Sequence, residues 1–243
     1  MRWFPVMALA VLSLEGCASA NPYQGMTAEQ MYEMARQQYS KKKYDDAIRT
    51  LDRLLTSFAA ADVIPEARLL QGDANYAKGS YLTAESAYQR FLDRYPTAQK
   101  APVASLGVCK CLVALSPVPE RDQTYTQDAF NHCSNVAVDY PGAPEAKTAA
   151  GLAAKMRDKL AEAQYDRADY YLRRKLYDSA IIYFQFVDSL YSETEYAPRA
   201  LLGIYKANKK IGYNDLADQA KKKLLARYPN SPEAKSLATD GGS

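Results

Sequence analysis

The side chains with the greatest capacity for chemistry in this chain are four cysteines and a single histidine. Cys109 and Cys111 are spaced C-x-C in a run that favours a helix, so their side chains point to different faces and make a poor pair of metal ligands. His132, beside Cys133, is the one histidine of the chain. It would have to supply the imidazole of any zinc site and of any Cys-His or Ser-His-Asp catalytic group. It falls inside a predicted helix with no glycine-rich turn nearby, which favours a surface or interface histidine. We therefore predict no catalytic residue, no metal ligand and no cofactor.

The three internal cysteines allow two interpretations. Small cysteine side chains are often buried in cores, and this explains all three residues without a covalent bond. The alternative is a disulfide formed in an oxidising compartment, which would join either Cys109 or Cys111 to Cys133. The spacing of the residues leaves both pairings open.

Cys17 ends an N-terminal segment whose composition differs from the rest of the chain. After a short basic start, residues 3–14 are apolar and uncharged, a stretch too short to span a bilayer but typical of a signal peptide. The sequence LEGC is similar to a lipobox, in which a leucine and a small residue precede a cysteine that becomes acylated, although Glu15 departs from that pattern. We predict a lipoprotein signal peptide over residues 1–16, lipidation of Cys17 and a tether over residues 17–26.

The residue after this cysteine is Ala18, not an aspartate. The absence of aspartate at this position is similar to the sorting pattern of outer-membrane lipoproteins. We therefore predict that the lipid anchor attaches the protein to the periplasmic face of the outer membrane. Two or more acyl chains give durable attachment where a single chain is marginal. The alternative is an ordinary signal peptide that is cut elsewhere, such as after Ala18 or Ala20.

The composition of the chain favours an all-helical protein. Only 11 of 243 residues are glycine, and Ala, Leu, Lys, Arg, Glu, Gln and Tyr dominate. The formal net charge is +3, which is far from the strongly basic balance of a nucleic-acid-binding domain. We therefore predict no nucleic-acid partner.

A short phrase recurs along the chain and indicates a repeat architecture. It reads RYPTAQKA, DYPGAPEA, LYSETEYA and RYPNSPEA, with an aromatic residue six positions before an alanine in each copy. A proline after the aromatic residue prevents the preceding helix from continuing. An alanine also stands twelve residues before the residue that follows each aromatic. The same spacing relates Ala47 to Ala59, where Phe58 replaces the tyrosine, so the chain contains five units. The aromatic and alanine pairs are Tyr95 and Ala101, Tyr140 and Ala146, Tyr191 and Ala197, and Tyr228 and Ala234.

The second unit, residues 65–96, is similar to the tetratricopeptide repeat, a pair of helices. We expect Gly72 and Ala84 to let the two helices touch, Tyr88 to fill the space between them, and Gly79 to end the first helix. Such pairs cannot bury their apolar faces alone and stack into a solenoid. The predicted fold class is an all-α solenoid of about five tetratricopeptide-like helix pairs over residues 27–235, with halves at about 27–142 and 143–235 and a flexible tail over 236–243.

Two units are longer than the repeat requires, and insertions in a solenoid often carry binding sites. The third unit contains SPVPERDQTYTQD, from which we single out a partner-contact loop. Within this loop Asp122 or Thr124 could cap the next helix, and an ion pair between Arg121 and Asp122 is the alternative to partner contact. The fourth unit has no glycine or proline after Gly151 until well past residue 173, so we predict one helix from about Pro144 to Arg173, roughly 45 Å long. The loop residues are Arg121, Asp122, Gln123 and Thr124.

In solenoids of this type the first helix of each pair lines the concave face. Transferring the repeat spacing to the first and second units predicts a groove that mixes tyrosines with charges, which suits an extended peptide. The alternative is a solvated helix face that binds nothing. The predicted groove residues are Glu29, Tyr32, Arg36, Tyr39, Glu66, Leu69, Asp73 and Tyr76.

The RDQT loop, the following AFNHCSNVAVDYPGAPEA and the run KLAEAQYDRADYYLRRKLYDSAI resemble the BamD family of outer membrane protein assembly factors, over about residues 27–233. The resemblance implies a non-enzymatic lipoprotein scaffold for the assembly and insertion of β-barrel proteins. Its implied partners are the periplasmic POTRA domains of a BamA-like barrel protein, contacted largely through the C-terminal half, and unfolded outer membrane protein substrates, received by the N-terminal repeats. Other lipoproteins of the BAM complex are further candidates.

Two other functions compete with this interpretation. A different periplasmic tetratricopeptide adaptor, in cell-envelope maintenance or division, would share the fold but not the RDQT insertion or the long fourth-unit helix. A murein hydrolase would need a catalytic domain, and we expect the solenoid to leave only the polar segment 236–243 after it.

Overall fold

The computed structural model describes residues 22–239, so the predicted signal peptide and Cys17 lie outside the described part of the chain. Residues 22–239 form eleven α-helices and no β-strand. In chain order the helices are α1 (Ala28–Ser40), α2 (Tyr44–Ser57), α3 (Ile64–Lys78), α4 (Tyr81–Arg94), α5 (Ala101–Leu115), α6 (Thr124–Asp139), α7 (Pro144–Arg173), α8 (Tyr177–Leu190), α9 (Tyr196–Ile211), α10 (Asn214–Arg227) and α11 (Pro232–Thr239).

The first ten helices form five consecutive pairs, from α1–α2 to α9–α10. Each helix packs against the next one along the chain, and the first helix of each pair also touches the first helix of the neighbouring pair. Stacked pairs of this kind make an α-solenoid, because each pair buries its apolar face against its neighbours. The predicted fold class is confirmed.

The recurring phrase ends the second helix of every pair. In each case the aromatic residue is the C-cap, and its backbone N–H donates to the carbonyl four residues earlier. The following residues turn the chain, and proline stands in the first turn of α3, α5, α7 and α11, where its missing N–H costs nothing. The capping aromatic residues of α2, α4, α6, α8 and α10 are Phe58, Tyr95, Tyr140, Tyr191 and Tyr228.

The ring of Tyr88 on α4 is held between two glycines of neighbouring helices. A Cβ atom built on Gly72 of α3 would lie 2.5 Å from the ring, and one on Gly107 of α5 would lie 2.7 Å from its other edge. Both distances are shorter than any ordinary carbon contact, so the ring can occupy this place only where both helices lack a side chain. The predicted roles of Gly72 and Tyr88 are confirmed, and so is the role of Gly79, which ends α3 at φ +85°.

The arrangement of α3, α4 and α5 is repeated 96 residues later. Helix α4 begins at Tyr81 and ends at Arg94, and α8 begins at Tyr177 and ends at Leu190, a difference of 96 at each end. The same offset relates Tyr88 to Phe184 and Gly107 to Gly203, whose Cβ would lie 2.5 Å from the Phe184 ring. The two halves of the solenoid therefore share one arrangement of helices around a buried aromatic ring, which we call the packing frame.

Helix α7 belongs to both halves. Its N-terminal part packs on α5 and α6 through Ala149 and Ala153, and its C-terminal part packs on α8 and α9 through Ala168. Between these parts the Arg157 guanidinium lies 5.1 Å from the centre of the Phe130 ring and 4.7 Å from that of Tyr191. The predicted bounds of this long helix, Pro144 to Arg173, are confirmed.

The third unit contains a disulfide between Cys109 of α5 and Cys133 of α6, with the two Cα atoms 5.0 Å apart. Of the two interpretations that the sequence left open, the structure has the disulfide, with Cys109 and not Cys111 as the partner of Cys133, because the α5–α6 contact brings these two residues within bonding distance. Cys111 points to the opposite side of α5 and stays a buried thiol. Burial raises the pKa of this thiol to about 12, which makes it unreactive at neutral pH.

The end of the solenoid also differs from the prediction. Helix α11 continues to Thr239, and Leu237 is buried against the last core cluster. The segment 236–243 is therefore not flexible throughout, since its first four residues complete a helix that covers the apolar face of α9 and α10.

We predict that Gly203→Ala destabilises the fold, because the added methyl group must displace the buried Phe184 ring. The expected loss is about 1–3 kcal/mol in the free energy of unfolding, measured by chemical denaturation. Gly151→Ala is the control, since nothing lies within 4 Å of its Cβ position and alanine favours a helix by up to about 1 kcal/mol. Equal stability of the two variants would contradict this account of the packing.

We predict that reduction of the Cys109–Cys133 bond lowers the free energy of unfolding by about 3 kcal/mol, because the bond closes a loop with a sequence separation of 24. Thermal melts with and without reductant measure the effect. The double variant Cys109→Ala/Cys133→Ala should be insensitive to reductant, whereas Cys111→Ala should keep the full sensitivity. A reductant effect that disappears in Cys111→Ala would show that the other pairing forms.

Candidate peptide-binding groove

The residues predicted to line the groove lie on α1 and α3, and most of them converge on one surface. Burial raises the pKa of Tyr32 on α1, and the carboxylates of Glu66 and Asp73 on α3 raise it further, while Arg36 opposes them. Burial also raises the pKa of Tyr39, and the Asp73 carboxylate raises it further. Helices α1 and α3 are in contact, and Tyr32 and Tyr39 pack against the core cluster that contains Ala67 of α3, so the two first helices share this surface.

Asp73 lies at the centre of this surface. Its Oδ1 accepts a hydrogen bond of 2.6 Å from the Tyr88 hydroxyl group, so the residue that spaces the helices also orients the carboxylate. Burial raises the pKa of Asp73, and this effect is only partly opposed by the hydroxyl and by Lys110 and Lys100. A half-buried carboxylate of this kind gains from further donors, such as the backbone N–H groups or the cationic side chains of a bound segment.

Two lysines complete the surface, Lys100 at the N-cap of α5 and Lys110 within that helix, and the sequence did not predict them. The positive charge of Lys110 lowers the pKa of Asp73. The Lys100 Nζ lies 3.6 Å from an oxygen of Glu66. Lys100 and Glu66 keep about half and a third of their side-chain area exposed, so this ion pair is weak and open to exchange with a ligand. Applying the repeat spacing to the third unit could have found both lysines, because α5 is the next first helix in the stack.

Two tyrosines of the surface are fixed by a second tyrosine at the start of the following helix. The centres of the Tyr39 and Tyr44 rings are 5.6 Å apart, and those of Tyr76 and Tyr81 are 5.3 Å apart, both in tilted geometry. Tilted aromatic pairs are favourable, and they hold each ring in place before a ligand arrives. A peptide would therefore meet flat apolar faces that cost little entropy to order.

One predicted groove residue does not belong to the surface. Leu69 is only 6% exposed and packs beside Tyr88 and Phe91 in the core. Side chains of α4 and α5 in the same core cluster cover this leucine, so it does not line the groove. Glu29 and Arg36 are exposed at the outer rim, where Arg36 bonds Glu33 of the same helix at 2.9 Å.

The RDQT loop satisfies most of its own polar groups. Gln123 Nε2 donates to the carbonyl oxygens of Val118 and Arg121, and the Asp122 carboxylate accepts the Thr124 N–H at 3.0 Å. Helix α6 begins at Thr124 with Gln123 as its N-cap, so the capping interaction comes from Asp122 one residue earlier. The Thr124 side chain and, to a smaller extent, its backbone N–H lower the pKa of Asp122 by hydrogen bonding. The loop is ordered by hydrogen bonds, and it leaves the Arg121 side chain exposed.

His132 is held by a structural contact. Its Nε2 lies 3.1 Å from the Ser105 carbonyl oxygen, which can only accept, so this nitrogen carries a proton and donates it. Burial lowers the pKa of His132, which keeps the ring neutral. The same nitrogen cannot also take the proton of the Ser105 hydroxyl group 3.4 Å away, so the pair does not form an activated nucleophile. Within residues 22–239 there is no cluster of three or more His, Cys, Asp or Glu side chains that could hold a metal ion.

The packing frame of the second half contains a second concave surface. This surface contains a cavity of about 210 Å³. Its lining residues lie 96 positions after those at the centre of the N-terminal groove. Because Phe184 has no hydroxyl group, the equivalent carboxylate of Asp169 bonds Arg173 at 3.0 Å instead. The sequence did not predict this surface, which is lined by Tyr165, Asp169, Leu172, Arg199, Leu202, Lys206 and Glu233.

No helix in residues 22–239 is both long enough and apolar enough to cross a membrane.

Comparison with known proteins places this fold in a family. The chain is 25% identical over 246 aligned residues to the outer membrane protein assembly factor BamD of Xylella fastidiosa (strain Temecula1), an alignment that covers 94% of this chain and 84% of the relative. It is 20% identical to the BamD of Pasteurella multocida (strain Pm70), with 89% of this chain and 87% of that one covered. These relatives confirm the resemblance indicated by the RDQT loop and the long helix.

The family YfiO, described as an outer membrane lipoprotein, matches residues 24–224. This range contains the five helix pairs up to the last turn of α10, and with them the whole candidate groove. The chain belongs to the YfiO family of outer membrane lipoproteins.

Proposed function

We propose that this protein is a non-enzymatic scaffold in the assembly of β-barrel proteins of the outer membrane. The observation that carries the proposal is the alignment of assembly factors named BamD over nearly the whole chain, including both grooves. Membership of an outer membrane lipoprotein family supports the same conclusion. The groove adds a physical reason, because its rings and charges fit a flexible peptide better than a small substrate.

The N-terminal groove receives extended segments of unfolded barrel proteins. Such a segment presents unpaired backbone N–H and C=O groups together with alternating aromatic side chains. Asp73 accepts hydrogen bonds from these N–H groups, and the faces of Tyr39 and Tyr76 pack on the aromatic side chains. The exposed charges of Glu66 and Lys100 bound the groove and adjust to different sequences, as a scaffold with many clients requires.

The C-terminal half contacts the periplasmic POTRA domains of a BamA-like barrel protein. Residues 196–239 contain nine lysines and arginines but only three acidic residues, a formal charge of +6 in a chain whose total is +3. An electropositive end of this kind attracts an acidic partner surface and sets its orientation. We expect the RDQT loop, with its exposed Arg121, to be a further contact of the complex.

Lipidation of Cys17 holds the scaffold at the periplasmic face of the outer membrane. The tether of residues 17–26 then lets the solenoid, which begins at Ala28, reach partners in the periplasm. A periplasmic adaptor for envelope maintenance or division is the second candidate function. It would have the same anchor and the same fold, so partner identity separates the two.

We predict that Tyr39→Ala and Tyr76→Ala each weaken the binding of an unfolded barrel-protein peptide by about tenfold, because a buried aromatic contact contributes on the order of 1–2 kcal/mol to binding. Fluorescence anisotropy of a labelled peptide measures this affinity. Tyr213→Ala is the matched control, since Tyr213 is 56% exposed at the other end of the solenoid. Thermal melts of all three variants check that the fold survives.

The groove assignment is wrong if the Tyr213 variant loses as much affinity as the other two. Tyr39→Phe and Tyr76→Phe refine the result, because they keep the ring pairs with Tyr44 and Tyr81 and remove only the hydroxyl groups. We expect them to bind within about twofold of the unmodified protein, since the apolar ring face provides most of the contact.

We predict that affinity capture of the tagged, lipidated protein from detergent-solubilised outer membranes recovers a barrel protein with POTRA domains as the dominant partner, identified by mass spectrometry. Charge-reversing Lys210→Glu and Lys222→Glu should reduce this recovery severalfold, because they weaken the basic end. Lys147→Glu is the control, because this exposed residue near the start of α7 lies outside the basic segment 196–239. Recovery of division or peptidoglycan-associated proteins in place of the barrel protein would transfer the function to the adaptor.

A further inference from the structure

Three arginines surround a cavity that shares no lining residue with either groove. The cavity has a volume of about 720 Å³ and lies between α3 and the C-terminal end of α4. Arg68 reaches it from α3, and Arg90 and Arg94 reach it from α4, with Asp93 and Tyr95 completing the wall. Three guanidinium groups against one carboxylate give the wall a formal charge of +2.

Arg68 supplies the strongest sign that this cavity accepts a ligand. Its Nε is buried and has no hydrogen-bond partner in the described part of the chain. A buried donor on a charged group costs free energy unless an acceptor reaches it, and such groups are normally paired. An anion bound in the cavity would offset this cost, because it adds charge-assisted hydrogen bonds to the same delocalised guanidinium cation.

The two arginines of α4 are also placed for an anion. Arg90 and Arg94 are four residues apart and therefore on the same face of the helix, where like charges repel each other. The carboxylate that lines the cavity with them, that of Asp93, accepts a hydrogen bond of 2.8 Å from the Gln89 side chain. The cationic pair is thus held together without a structural acid to neutralise it.

The repeated packing frame shows that the fold does not require these arginines. At the corresponding positions 96 residues later the second half has Gln164, Phe186 and Leu190. Phe186 and Leu190 are 44% and 53% exposed in an otherwise equivalent pair of helices. Since the same backbone folds with amide and apolar side chains there, the three positive charges of the first half have a role other than packing.

We propose that Arg68, Arg90 and Arg94 form a binding site for a phosphate group. The planar guanidinium fork matches phosphate oxygens, and a phosphate monoester carries a charge of about −1.5 to −2 at neutral pH, close to the net charge of the wall. A carboxylate would neutralise only half of that charge. The open cavity has room for more than the phosphate itself, so the group belongs either to a lipid headgroup or to a soluble phosphate ester.

The test uses the full lipidated chain in phosphatidylcholine nanodiscs, titrated calorimetrically with inorganic phosphate and with acetate at matched ionic strength. We expect saturable phosphate binding that is tighter than acetate binding. Arg68→Gln and Arg94→Gln should each weaken it by about tenfold or more, because each removes a charge-assisted pair of hydrogen bonds. Arg53→Gln, which removes the same charge from an exposed position on the neighbouring helix α2, should change it by less than about twofold.

The source of the phosphate is found by repeating the titration in nanodiscs that contain phosphatidic acid. If headgroups occupy the site, the phosphate titration disappears there in the unmodified protein. An unchanged titration assigns the site to a soluble phosphate ester. The proposal is overturned if acetate binds as tightly as phosphate, if Arg68→Gln and Arg94→Gln bind phosphate like the unmodified protein, or if Arg53→Gln weakens binding as much as they do. None of these outcomes depends on the protein having a role in barrel assembly.

Discussion

The architecture depends on a single kind of contact, an aromatic ring pressed against helices that have no side chain at the point of contact. Tyr88 lies between Gly72 and Gly107, and Phe184 lies against Gly203. Interiors pack to nearly crystalline density, so the ring sets the distance between neighbouring helices to within a few tenths of an ångström. That distance determines how successive pairs stack, and hence where the first helices meet to form the grooves. In the first half the ring also has a hydroxyl group, which joins this packing contact to the Asp73 carboxylate.

Helix α7 joins the two similar halves by packing against helices of both. It packs on α5 and α6 at its start and on α8 and α9 at its end, and Arg157 at its middle lies against aromatic rings from both sides. A cation held over two aromatic faces is favourable where water is partly excluded. The disulfide of the third unit adds a covalent tie next to this helix. The grooves of the two halves are therefore held in a constant relation, which suits the proposed role as a scaffold.

Because the two halves share a packing frame, the differences between them indicate function. Where the first half has Tyr88, the second has Phe184, so the carboxylates of Asp73 and Asp169 have different partners. Exposed positions of α4 and α8 diverge further, since Arg90 and Arg94 of the first half correspond to Phe186 and Leu190 of the second. The side chains of the packing frame must keep their volume, because the core is close-packed. Exposed side chains have no such constraint, so their type can differ according to what each half binds.

The sequence by itself determined the helix boundaries and the order of the pairs. Proline, the aromatic caps and the bounds of α7 act locally, through the backbone of a few neighbouring residues, so they can be read without knowing the fold. The tertiary structure decided which side chains meet. It paired Cys109 with Cys133, buried Leu69, brought Lys100 and Lys110 to the groove and placed Arg68 and Arg94 on the wall of one cavity. These outcomes depend on the angle and separation of helices that are distant in sequence, which are set by the summed packing of the whole stack and by no local signal.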